Sequence, residues 1–345
     1  MKKIFNSILS CGIALVTLSS GSAFAHDPDE TAKSRAARTK QVNKVRHNSV
    51  KAARSGENKE KQARSPRVIN GETVSMHDRN WQWTVSITAN NLHFCGGTFV
   101  SPNKSASGDN IIWSTTTTNP VWVLTAAHCI RKNELDLIEQ GRLTVRSGNT
   151  AIAAMDAQIV EKAFIHEKYN KDGALSNDIA LLKLKSDVLI TPKPEGEPEN
   201  KRTSIALAKT SDLSWLYSSY TALNVAGWGI TENGAASSVL QRVRMPYVDR
   251  ATCSNAYSAA AASGAILPGM ICAGYSSGGY DSCQGDSGGP LTYVPADSIT
   301  GPSKNPVLAG VVSWGIGCAE PNLYGVYTSV LAYRGWMDAT VKNNM

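Results

Sequence analysis

A chain of 345 residues that is 42% hydrophobic holds enough apolar material for one large domain or two small ones. The formal charge of +7 is carried by the leader. Residues 1–67 hold 14 Lys+Arg and 5 Asp+Glu, leaving 21 against 23 beyond them, or about −2. A basic surface for nucleic acid or anionic membrane is therefore excluded for the body of the chain.

Residues 1–25 read as a signal peptide of bacterial style. Lys2 and Lys3 precede an apolar run around Ile13–Val16, and Ala23-Phe24-Ala25 supplies small residues for cleavage. The run is too short and too polar for a membrane span. Cys11 lies before most of it, which argues against a lipid-anchored cysteine. Export follows, to the periplasm or the extracellular medium. Residues 26–67 carry 12 Lys+Arg against 5 Asp+Glu and no aromatic residue. Such a segment cannot bury a core and reads as a disordered, removable pro-segment in preference to a nucleic-acid or lipid tether. Residues 68–345 form the working domain.

Beyond Val68, short β-type runs such as Trp83–Thr88, Trp122–Leu124 and Val311–Trp314 alternate with Gly, Pro, Asn and Ser. That texture predicts an all-β sandwich or barrel without choosing between them. The last stretch, Val330–Lys342, reads as a short amphipathic helix with Leu331, Trp336 and Val341 available to pack back. Removing the signal removes Cys11 and leaves six cysteines. In an exported chain an even set implies disulfides, with about 15 pairings open to six cysteines. No Cys-x-x-Cys spacing supports a metal site.

Three motifs carry chemistry. Leu124-Thr-Ala-Ala-His-Cys129 presents His128, Asn177-Asp-Ile-Ala-Leu-Leu182 presents Asp178, and Gly285-Asp-Ser-Gly-Gly-Pro290 sets Ser287 among glycines. A serine on a glycine-rich turn projects its hydroxyl while the backbone approaches a substrate closely. With these three in this order the chain resembles a trypsin-like serine protease of the chymotrypsin family, from about Val68 to the C-terminus. His93 and His166 sit in no comparable motif and carry little weight. Asp172 and Asp281 rival Asp178 as the orienting acid, but the apolar strand after Asn177-Asp178 favours Asp178.

The resemblance implies two six-stranded antiparallel β-barrels with the active site between them, a connector near Thr191–Arg202, and a C-terminal helix. It implies that Ser287 attacks the carbonyl, that His128 moves the proton, and that Asp178 holds the imidazole. The amides of Gly285 and Ser287 would form the oxyanion hole. Asp281, with Ser282 beside it, matches the base of the primary pocket, and Gly315 and Gly325 match its walls. Ser313-Trp314-Gly315 would pair with the substrate backbone, and Leu175 would line the next pocket. Together these imply a monomeric endopeptidase acting on proteins or peptides after Arg or Lys, with protein protease inhibitors as further partners.

Other family features follow. The junction Arg67-Val68 resembles the activation site, where a freed Val68 amine would pair with Asp286. The implied disulfides are Cys95–Cys129, Cys253–Cys272 and Cys283–Cys318, each contributing roughly 2–4 kcal/mol. No cofactor is implied with one exception. Tyr324 stands where digestive trypsins carry proline, and this leaves open either a Na⁺ site or simple packing. Ile130–Arg142 and Asn103–Pro120 read as insertions, the first able to border the cleft or to be a mobile surface loop. Ser147–Met155 lacks the acidic ligands of the digestive trypsins' calcium loop.

Overall fold

A computed structural model describes residues 69–75, 81–105, 107, 110–115, 120–189, 202–216, 221–231, 234–260, 266–294 and 305–345. The signal and pro-segments, Arg67, Val68 and the connector 191–201 lie outside the described residues.

The chain begins with β1 (Glu72–Thr73), β2 (Thr84–Ala89) and β3 (Leu92–Val100), followed by β4 (Pro102–Lys104), β5 (Ile111–Trp113) and β6 (Trp122–Thr125). Helix α1 (Lys132–Glu139) precedes β7 (Leu143–Ser147), β8 (Asp156–Ile165) and β9 (Ala180–Leu189). Strands β2-β3-β6-β9-β8-β7 close into the first barrel, antiparallel throughout. Alternate residues Trp83, Val85 and Ile87 join Phe99, Leu124, Val145, Val160 and Leu181 in its core. Each such fully buried side chain contributes about 1.5–3 kcal/mol, which makes the barrel a rigid mount.

Next come β10 (Ala206–Leu207), β11 (Ala222–Gly227), β12 (Gln241–Val248), helix α2 (Arg250–Ala259) and β13 (Met270–Ala273), then β14 (Pro290–Tyr293), β15 (Val307–Trp314) and β16 (Gly325–Ser329). The order β12-β11-β14-β15-β16-β13, with β13 pairing back to β12, closes a second six-stranded barrel. Its core gathers Leu223, Val225, Val243, Ile271, Leu291, Tyr293 and Tyr327. The expected two-barrel architecture is the observed one.

The C-terminal segment begins as a 3₁₀ turn and continues as α3 (Arg334–Lys342). It returns to the first barrel, where Met337 and Val341 are buried in the core and Trp336 is half-buried against it. Both insertions are ordered where they are described. In the earlier of the two, β4 pairs antiparallel with β5, and Trp113 Nε1 donates to Asp338 on α3 at 2.6 Å. The Ile130–Arg142 insertion is helical, with Leu137 and Ile138 packed against the first core. All three expected disulfides are present. No described helix is long and apolar enough to cross a membrane.

Candidate active site

Asp178 lies just before β9, in a segment turned by Asn177 at φ +53°. Its carboxylate is fully buried, a costly state unless every oxygen is bonded. Oδ1 accepts the His128 backbone N–H at 2.8 Å, and Oδ2 lies 2.8 Å from His128 Nδ1. Ser313 Oγ donates to the same Oδ2 at 2.5 Å, and Thr328 Oγ1 donates to the Asp178 carbonyl at 2.8 Å. A carboxylate only accepts, so Nδ1 carries the proton and Nε2 keeps a free lone pair, as a proton acceptor requires. Asp172 bonds Asn177 Nδ2 at 3.0 Å and does not reach His128.

His128 sits on a 3₁₀ turn directly after β6, half-buried, and Cys129 next to it is bridged to Cys95 on β3. The ring nitrogen and both sulfurs lie within 4.8 Å of one another. Those sulfurs are joined in a disulfide, so the grouping is no metal centre. Ser287 reaches this cluster from the second barrel. Its carbonyl accepts Gly96 N–H at 2.7 Å and touches Cys129 Sγ at 3.6 Å. No hydrogen bond joins Ser287 Oγ to the imidazole among the described residues. Such bonds commonly tighten once a substrate is bound.

The serine turn is held by contacts that only glycine permits. Gly285 and Gly288 adopt φ +100° and +81°, and a Cβ on Gly288 would lie 2.5 Å from the Gly96 carbonyl. Along the turn, Asp286 N, Gly288 N and Gly289 N all donate within the fold. Gly285 N and Ser287 N have no acceptor among the described residues. These two amides are the ones expected to receive an oxyanion.

Asp286 points inward and is fully buried. Its oxygens accept Gly229 N–H and Cys283 N–H, each at 2.8 Å. Burial pushes its pKa up to about 6 despite those two bonds. A Cβ on Gly229 would lie 2.6 Å from the carboxyl group, so that position must remain glycine.

Asp281 is buried with Oδ1 accepting Ser282 N–H at 2.8 Å and Oδ2 accepting Ala319 N–H at 3.1 Å. Burial pushes its pKa up to about 7, the two bonds oppose this, and the Asp286 charge adds a smaller upward push. Ser282 Oγ lies 3.3 Å from Tyr327 Oη. A Cβ on Gly325 would lie 2.9 Å from Asp281 Oδ1, whereas one on Gly315 meets nothing within 4 Å. Gly325 is thus packed against the carboxylate, and Gly315 borders open space. Trp314 stacks edge-on against Tyr257 at 5.1 Å, and Tyr257 Oη donates to the Tyr324 carbonyl at 2.6 Å. Leu175 adopts φ +57°, with its N–H on Asn170 Oδ1 at 3.0 Å. The same loop reaches the second barrel, where a Cβ on Gly173 would lie 3.2 Å from Leu267.

Two contacts lie beyond the sequence reading. Ser313, expected to pair with substrate through its backbone, also bonds Asp178 with its side chain. His93, given little weight, places Nε2 3.0 Å from the Gly285 carbonyl and Nδ1 2.8 Å from Ser86 Oγ. The available signal was a histidine in a period-2 strand with a serine opposite, and it is weak. His166 is a buried core histidine between Tyr333 and Trp336.

The trypsin family model matches residues 111–337, about two thirds of the chain. Those residues contain His128, Asp178 and Ser287 and the whole second barrel. The chain therefore belongs to the trypsin family, the serine proteases of chymotrypsin fold, and is a hydrolase acting on protein or peptide substrates.

Proposed function

We propose that this protein is an exported endopeptidase that cleaves after Arg or Lys, with His128, Asp178 and Ser287 as its catalytic residues. Ser287 Oγ attacks the scissile carbonyl as His128 Nε2 takes its proton. The new oxyanion is received by Gly285 N–H and Ser287 N–H. Asp178 stabilises the imidazolium, which then protonates the leaving amine. Water repeats the sequence on the acyl-enzyme.

The observation that carries the specificity is Asp281, a buried carboxylate that accepts two backbone N–H bonds and has no cationic partner among the described residues; Gly315, the wall residue the resemblance implies, has open space in front of it. An arginyl or lysyl cation supplies the missing partner. Activation is assigned to cleavage at Arg67-Val68, and the buried Asp286, which has no cationic partner among the described residues, is the seat the freed amine would take. The signal segment and three disulfides support export. Tyr324 is assigned to packing, because it is buried and its carbonyl already accepts the Tyr257 hydroxyl. Equal turnover in Na⁺ and choline buffers of matched ionic strength is the expected result there.

Hydrolysis of an arginyl peptide amide by protein processed at Val68, lost in Ser287→Ala, tests the reading. A processed, folded protein that cleaves no arginyl or lysyl peptide is a binding homologue and ends it.

A further inference from the structure

Asn177 precedes Asp178 and stands in the left-handed region, a conformation that asparagine tolerates better than most residues with a Cβ. Its carbonyl accepts the Ile179 N–H at 2.9 Å, which makes Asp178 the middle residue of a three-residue turn. The Asn177 side chain is bonded at both ends. Nδ2 donates to the Lys168 carbonyl and to Asp172 Oδ2, each at 3.0 Å. Both partners only accept, which fixes the amide: Oδ1 faces the other way and accepts the Tyr333 hydroxyl at 3.1 Å.

Tyr333 comes from the C-terminal segment and is buried. Its hydroxyl is wedged where the barrels meet: a Cβ on Gly269, just before β13, would lie 2.6 Å from it. The Gly269 carbonyl is itself held by the Ser329 N–H, at the end of β16, at 2.8 Å. On the other side the His166 ring meets the Tyr333 ring edge-on at 5.3 Å. Burial first, then the Asp172 and Asp178 charges, push the Tyr333 pKa up, so the hydroxyl keeps its proton and donates. Thr328 and Ser313 anchor the Asp178 carbonyl and Oδ2. The direction of the whole carboxylate also depends on the backbone of the turn, and Asn177 sets that backbone from one side.

We propose that Asn177 and Tyr333 are positioning residues: the Tyr333 hydroxyl, acting through the Asn177 amide, aims the Asp178 carboxylate at His128. The consequence for turnover rests on the functional reading above. Neither side chain hydrogen-bonds His128 or Ser287 among the described residues, so their effect on the reaction passes through Asp178. The C-terminal segment thereby takes part in the chemistry, through one phenol, as well as in the first core.

The test reads two quantities on protein processed at Val68. The first needs no turnover: the proton resonance of His128 Nδ1–H, which lies downfield while the proton is shared with a carboxylate. It should move upfield in Tyr333→Phe, and further in Asn177→Gly, which keeps the left-handed backbone and loses all three side-chain bonds. The second is kcat on an arginyl amide. It should fall about 3- to 10-fold in Tyr333→Phe and about 10- to 30-fold in Asn177→Gly, with KM within about twofold. Because the hydroxyl acts through the amide, Tyr333→Phe should cost less than about twofold more when added to Asn177→Gly. Val341→Ala, which trims a buried contact of the same C-terminal helix, should lower Tm and leave both kcat and the resonance unchanged. An unmoved resonance and kcat in Asn177→Gly overturn the proposal. A full further loss in the double variant, or an equal loss in Val341→Ala, does the same. If the resonance moves as expected but wild type cleaves no arginyl or lysyl peptide, the positioning stands and the functional reading falls.

Discussion

His93 Nε2 lies 3.0 Å from the carbonyl oxygen of Gly285, the residue whose own N–H is proposed to receive the oxyanion. A carbonyl only accepts, so Nε2 carries the proton and Nδ1 accepts from the Ser86 hydroxyl at 2.8 Å. Burial lowers the His93 pKa and keeps the ring neutral, and the Gly285 bond opposes this more weakly. The ring also meets Trp228 edge-on at 6.0 Å, and the next residue, Gly229, donates to Asp286. One histidine thus fixes the glycine at the head of the serine turn.

His93→Ala should lower kcat by about 10- to 100-fold, the scale of a slightly misplaced oxyanion donor, with little change in KM. His93→Gln, which keeps a donor near Gly285, should recover part of the loss. Titrated active sites and the kcat–KM split check this. A variant that loses only thermal stability would show His93 to be packing alone.

The three residues proposed for catalysis were legible because each sits inside a local string, and the cysteines because six of them, an even set, suit disulfides. Contacts that join residues across the fold were not. Ser313 reaches Asp178 across 135 positions, and His93 reaches Gly285 across 192. No local pattern encodes such an encounter, since it exists only once two barrels have closed. Helix α1 was missed for a different reason. Its eight residues, with Leu135, Leu137 and Ile138 among charges, are too few for a helical period to stand out, and packing on the first barrel stabilises it. The β-type texture, by contrast, announced strands wherever apolar residues alternate, as at Trp83, Val85 and Ile87.

Loss of the Ser313 hydroxyl should matter although Ser313 touches neither nucleophile nor base. Ser313→Ala removes one of three donors to the buried Asp178 carboxylate. A fall in kcat of about 3- to 10-fold is expected, the worth of one charge-assisted hydrogen bond partly replaced by relaxation. Asp178→Asn should cost about 10⁴, because the amide presents a donor to Nδ1 and stabilises the wrong tautomer. Steady-state kinetics on an arginyl amide reads both. Equal losses in the two variants would contradict the hierarchy.

Asp281 is predicted to make the proposed specificity pocket pH-dependent. Its folded pKa of about 7 lies above the ordinary 3.8, so the folded chain holds this proton more tightly than the unfolded chain. The stability this group contributes is complete below about 3.8 and is lost as pH rises to about 7. Ligand affinity runs the opposite way, because an amidinium in the pocket needs the anion. Binding of a small amidine should strengthen about tenfold per pH unit up to about 7 and then level off. Calorimetry on wild type and Asp281→Asn isolates the Asp281 contribution, since Asp286 is present in both. A flat profile in wild type would remove Asp281 from ligand binding.

Arg202 and Asp156 form a buried ion pair where the chain enters the second barrel. Their N–O separation is 2.5 Å, with each side chain 8% exposed, and Arg202 Nε also donates to Ser147 Oγ at 3.0 Å. Removing one partner takes the neutralising charge away from the other buried group. Arg202→Met should therefore cost about 3–5 kcal/mol of unfolding free energy, while Arg202→Met with Asp156→Leu should restore most of it. Urea unfolding of the two variants measures the difference. A single variant as stable as wild type would mean that water already compensates the pair.

The two glycines assigned to the proposed pocket offer the sharpest separation of fold from function. At Gly325 a side chain collides with Tyr327 Oη at 2.7 Å and Asp281 Oδ1 at 2.9 Å, so Gly325→Ala should lower both Tm and activity. At Gly315 an added Cβ meets nothing within 4 Å, and the residue is exposed. Gly315→Val should then fold with a stability change under about 0.5 kcal/mol. Its bulk would project into the space a long cationic side chain must cross to reach Asp281. Turnover of arginyl amides is expected to fall by at least about 100-fold, as when a whole cationic contact is lost, while substrates with a small residue before the cut are spared. Should the G315V enzyme cleave arginyl amides at the wild-type rate, the path to Asp281 lies elsewhere and the pocket has been assigned to the wrong wall.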